Sequence, residues 1–78
     1  MYVLRGFLML MENIQNNVGK RVRALREKKG LLQRDLAKSA EIPVRTVGRI
    51  ERGEVDMRLS TLRKIAKALD VDVKELLP

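Results

Sequence analysis

From Asn16 onward the apolar residues recur at helical spacing. Val18, Val22 and Leu25 stand at i, i+4 and i+7, with Lys20, Arg21, Arg23 and Lys28 around the other faces. Asn16 or Asn17 is placed to cap this segment and Gly30 to end it, which predicts a first helix over about residues 17–29. Gln33 to Ala40 repeats the pattern in shorter form, with Leu36, Ala37 and Ala40 facing inward, until Glu41-Ile42-Pro43 breaks it. Pro43 presets the backbone for a third helix from about Val44 to Arg52, burying Val47 and Ile50 and stopped by Gly53. After a loop over 54–58, Leu59, Leu62, Ile65, Ala66 and Leu69 mark a fourth helix with Arg63, Lys64 and Lys67 exposed. Asp72 followed by Glu75 forms a capping-box pattern that opens a fifth, short helix carrying Val73, Leu76 and Leu77. No strand-type alternation, repeat or low-complexity tract interrupts the body. The pattern predicts an all-α, compact five-helix bundle over 16–78, preceded by an N-terminal arm or extension over 1–15.

The first ten residues are mostly apolar, interrupted by Arg5 and Gly6. The run is too short to span a bilayer and lacks the basic start and small-residue cleavage site of a signal peptide. Three readings are open. It is an extended arm or strand that packs on the body or on a partner subunit, a loose tail, or an accidental extension upstream of a start at Met11. An exposed apolar segment of this kind usually seeks a partner.

Composition narrows the chemistry. The 78 residues leave room for one modest core, and with one Phe, one Tyr and no Trp that core must be aliphatic. The absence of Cys and His excludes disulfides, zinc-finger ligation and Cys or His nucleophile pairs. The ten acidic residues are scattered between bases without a paired site, so the chain does not read as an enzyme, and no cofactor or metal is expected. Seventeen Lys and Arg give a net charge of +7, which suits a polyanionic partner.

Where the bases fall is more informative than how many there are. Two short helices joined by a three-residue turn can present the second to a DNA major groove while the first lies across the backbone. The outward positions of that second helix read as Arg45, Thr46, Gly48, Arg49 and Arg52, with Arg45 and Arg49 four apart on one face. Arginine makes two hydrogen bonds to guanine O6 and N7. The plainer reading is a pair of solvated arginines, joined to Glu41 or Asp56.

The segments R-x-x-R-E-K-K-G at 23–30, Q-x-x-L-A at 33–37, T-V-x-R-I-E-R-G at 46–53 and L-x-x-I-A-K-A-L at 62–69 occur in order and at mutually consistent spacing. Over residues 17–77 the chain resembles the phage-repressor, Cro and XRE family of helix-turn-helix DNA-binding domains. The resemblance implies a lambda-repressor-like fold and sequence-specific binding of double-stranded DNA by a small, dimeric transcriptional repressor. It implies that Val44, Arg45 and Arg49 read base edges, Val44 by apolar contact alone. Gln33, Thr46 and Arg52 would meet phosphates, Gln33 assisted by the start of its helix. Arg26 and Glu51 match the family's partly buried ion pair, a structural role. Four positions depart from the pattern: Glu41 replaces the usual turn glycine, Leu32 the usual Ser or Thr cap, Pro43 a polar residue, and Gly48 leaves mid-helix without a side chain.

The implied partner is a pseudo-palindromic operator bound by a homodimer. Leu76, Leu77 and the N-terminal arm are the candidate dimer surface, although Leu76 serves equally well to close the core. A second functional reading is an antitoxin-like interaction module whose apolar arm holds a protein partner. Cysteine-free composition and the absence of a targeting segment in the sequence fit the cytoplasm or nucleoid, with no membrane partner.

Overall fold

The computed structural model describes residues 2–54 and 58–77. Among the described residues are four α-helices, α1 (Tyr2–Lys28), α2 (Gln33–Ala40), α3 (Val44–Glu51) and α4 (Leu59–Ala68), and one 3-10 helix, Val73–Leu76. No strand occurs among the described residues.

The core gathers the apolar face of each helix: Val18 and Val22 from α1, Leu36, Ala37 and Ala40 from α2, Val47 and Ile50 from α3, and Leu62, Ile65 and Ala66 from α4. Leu69 and Leu76 complete it. Seven of its large side chains are almost wholly buried, each contributing about 1.5–3 kcal/mol of transfer free energy. One residue of the expected apolar helix faces lies outside it, and the dimer candidate Leu77 is also at the surface. Leu59 opens α4 at 55% exposure. Leu77 is 39% exposed.

All four α-helices end in the same way. A residue with positive φ follows each, Gly30 (70°), Glu41 (57°), Gly53 (72°) and Asp70 (56°). The next amide donates back to the carbonyl five residues earlier: Leu31 to Arg26 at 3.1 Å, Ile42 to Ala37 at 3.0 Å, Glu54 to Arg49 at 2.9 Å and Val71 to Ala66 at 3.0 Å. This closure satisfies the last carbonyls of each helix. Leu31, Ile42 and Val71 also pack against the core, so the turn that stops each of those helices returns an apolar side chain to it.

Two predicted element boundaries need correction. α1 does not begin at Asn16 or Asn17 but runs unbroken for 27 residues from Tyr2. The arm is therefore neither extended nor a strand. Asparagine disfavours a helix interior only mildly, and the Leu- and Met-rich segment before it favours helix. Asn16 has another role: its side chain occupies the place a Cβ on Gly53 would need, so α1 lies directly against the end of α3. The fifth helix is a 3-10 turn. Its capping box forms, with the Asp72 amide donating to Glu75 Oε2 and the Lys74 amide to Asp72 Oδ1, each at 3.1 Å. Leu77 then turns extended (ψ 146°), the conformation favoured before the proline that follows it in sequence.

Candidate nucleic-acid interface

α2 and α3 are set at an angle by a turn that is strained at one point. Glu41 occupies the left-handed region at φ 57°, ψ 45°, which costs a residue with a Cβ about 1 kcal/mol. Pro43 is the residue just before α3 (φ −61°, ψ 142°), and its carbonyl accepts from the Thr46 amide at 3.0 Å. Neither helix starts with a side-chain cap from its N-cap residue, Leu32 or Pro43. At α2 the loss is partly made up by Asp35, whose carboxylate accepts from the Leu32 amide at 2.8 Å.

The expected base-reading residues share one surface. Val44 opens α3 at 50% exposure, and Arg45 and Arg49 follow on the exposed side, opposite buried Val47 and Ile50. Among the described residues neither arginine makes an ion pair or a side-chain hydrogen bond. Glu41 therefore does not pair with them, and Asp56 lies outside the described residues. Two guanidinium groups with free donor edges on a fixed helix suit bidentate contact with a base edge or phosphate.

The expected phosphate-binding residues are arranged differently. Gly48 is not outward-facing as expected but buried. A Cβ there would lie 3.1 Å from Arg52 Nη1 and 3.7 Å from Gln33 Oε1, so this glycine is the floor on which both side chains rest. Gln33 Nε2 donates to Glu51 Oε1 at 3.1 Å, and Arg52 Nε donates to Glu54 Oε2 at 2.8 Å. Thr46 is half-buried near the start of α3. Gln33 and Arg52 thus form one polar cluster at the α2–α3 crossing, distinct from Arg45 and Arg49. Gly48 was legible as a missing side chain; its neighbours, and the holding role of Glu54, depend on contacts between residues distant in sequence or set by the end of α3.

Beneath the surface lies the Arg26–Glu51 pair. Arg26 Nε donates to Glu51 Oε2 at 2.7 Å and Nη2 to Oε1 at 3.0 Å, with side chains only 10% and 4% exposed. The third nitrogen, Nη1, donates to the Leu31 carbonyl at 2.8 Å. The hydrogen bond to Glu51 raises the Arg26 pKa, against the opposing effect of burial. Glu51 Oε1 also holds Gln33, so one carboxylate joins α1, the start of α2 and the end of α3. The two proposed dimer leucines separate: Leu76 is wholly buried and cannot meet a partner, because the 3-10 turn points it into the core beside α1 and α4. Leu77 remains at the surface.

Comparison with known proteins agrees with the all-helical fold. The chain is 36% identical over 58 residues to the HTH-type transcriptional regulator DdrOP3 of Deinococcus deserti, spanning 74% of this chain and 45% of that one. It is 37% identical over 60 residues to the uncharacterized HTH-type transcriptional regulator YazB of Bacillus subtilis, spanning 77% of this chain and 87% of that one. Among solved structures, the restriction-modification controller protein C.AhdI of Aeromonas hydrophila superposes with a TM-score of 0.79 at 38% identity, over 81% of this chain and 96% of that one. The HTH_3 helix-turn-helix family model matches residues 22–76, so the chain belongs to this XRE-type family of DNA-binding transcriptional regulators.

Proposed function

We propose that this protein is a repressor that binds a pseudo-palindromic double-stranded DNA site as two copies, each placing α3 in a major groove. The observation that carries the reading is the exposed side of α3, where Arg45 and Arg49 stand without ion-pair partners among the described residues, next to Val44. Arg45 and Arg49 contact base edges, and Val44 lies against a thymine methyl. Gln33, Thr46 and Arg52 hold phosphates on either side and fix the depth of α3. The +7 net charge supplies the sequence-independent part of the affinity. The relatives named as transcriptional regulators support this reading.

Selection from a random DNA pool at fixed salt tests it. The intact chain is expected to enrich a two-fold symmetric motif, and the Arg45→Ala, Arg49→Ala double variant to lose it. Weak, salt-steep binding without a motif, or a motif indifferent to both arginines, would sink the assignment.

A further inference from the structure

α1 is longer than the body needs. The body meets it from Asn16 onward, where Asn16 lies over Gly53 and Gly19 presses on the Ile50 and Glu51 carbonyls. The N-terminal half runs on as helix, with Leu8, Met9, Leu10 and Ile14 exposed by 54%, 59%, 55% and 40%. A helical segment of that length is not stable by itself in water.

Its sequence register is that of a coiled coil. Positions 4, 8, 11, 15, 18, 22 and 25 are separated alternately by four and three residues, so one seam runs the whole length of α1. Its C-terminal part, Val18, Val22 and Leu25, packs on the body. Its N-terminal part carries Leu4, Leu8, Met11 and Gln15 in sequence, and of the side chains described there Leu8 is exposed and Gln15 half-buried.

The flanks of that free seam identify its occupant. In the heptad register of the sequence Phe7 and Ile14, seven residues apart, fall on one flank, and Arg5 and Glu12, also seven apart, on the other. A two-fold axis across an antiparallel pair sets each flank against itself. Phe7 then meets Ile14 of the second copy, and Arg5 meets Glu12 of the second copy, twice over. A parallel pair would instead set Phe7 against Glu12. Arg5 and Glu12 are the only charged residues before Asn16, so the segment is neutral and the whole +7 lies beyond it. Two such segments meet without repulsion, whereas a membrane-surface helix would present a basic face.

We propose that the N-terminal half of α1 is a self-association element that pairs antiparallel with the same segment of a second copy, Leu8 opposite Met11 on either side of the axis. This register uses the whole free seam and stops where the body begins, since Tyr2 of one copy reaches the level of Asn17 of the other. It separates the two α1–α3 crossings at Gly19 by about 29 Å along the helix. Successive half-sites on DNA are about 34–36 Å apart. The inference rests on the two-copy reading above and supplies its interface.

Sedimentation equilibrium of the full chain, with thermal unfolding to confirm the body, tests the proposal. The native chain is expected to be dimeric at micromolar concentration, and Leu8→Asp monomeric with cooperative unfolding of the body retained. Arg5→Glu is expected to weaken the dimer about tenfold, and the swap Arg5→Glu, Glu12→Arg to restore it. A monomeric native chain, one that is monomeric but sediments with neutral lipid vesicles, a dimer that survives Leu8→Asp, or a swap that fails to rescue would each overturn the interface. None of these outcomes would touch base reading by Arg45 and Arg49, which the selection assay reports separately.

Discussion

At the scale of single residues, the most informative positions are those where a helix must stop. Gly30 and Gly53 take the left-handed conformation freely, whereas Glu41 and Asp70 take it against the preference of a Cβ. Aspartate tolerates this region better than glutamate, because its short side chain can bond the local backbone. Glu41→Gly is therefore expected to stabilise the fold by about 1 kcal/mol, and Asp70→Gly by less, measured by urea unfolding. The reverse order would show that the strain is relieved elsewhere. The position of Glu41 was visible from the family pattern. Asp70 was not, because the helical periodicity carries smoothly into Leu69 and only the observed backbone shows where it breaks.

At the scale of elements, two glycines set how closely helices approach, with opposite consequences. A methyl group on Gly19 would overlap the Ile50 carbonyl oxygen, a rigid backbone atom, so Gly19→Ala must push α1 away from α3. A loss of about 2–3 kcal/mol is expected. A methyl group on Gly48 meets only the ends of the Arg52 and Gln33 side chains, which can move. Gly48→Ala should gain up to about 1 kcal/mol in helix propensity while displacing two side chains proposed to bind phosphate. DNA affinity should then fall equally for matched and unmatched sequences, with a shallower salt dependence, as read in a binding titration at several salt concentrations. A change of motif instead would place Gly48 at a base edge.

For the whole molecule, the Glu51 carboxylate is the joint between the scaffold and the surface proposed to face DNA. It anchors Arg26 of α1, lies at the end of α3 and steadies Gln33 at the start of α2. Glu51→Gln removes the main counter-charge of a buried guanidinium, leaving only the exposed Glu27 carboxylate at 3.8 Å, and should cost about 3–5 kcal/mol in urea unfolding. Replacing both partners, Arg26→Met with Glu51→Leu, should recover most of that loss, because no orphaned charge remains. If the double variant is no better than the single one, the pair stabilises through packing rather than charge. In the double variant Gln33 loses its acceptor, so the proposed phosphate contact is expected to weaken even where stability returns.

Periodicity alone determined where α2, α3 and α4 lie and which of their faces are buried, because 3.6-residue spacing is a local property of the chain. Gly30, Gly53 and Pro43 marked the breaks for the same local reason. The ordered motifs added the Arg26–Glu51 pair and the exposed arginines of α3. Tertiary structure decided what local pattern cannot express. It buried Leu76, left Leu59 outside, made Gly48 a floor for Arg52 and Gln33, and turned the N-terminal arm into a continuation of α1. Each of these depends on which distant residue occupies the neighbouring space. A hydrophobic pattern states that a face must be covered, and only the packed structure shows what covers it.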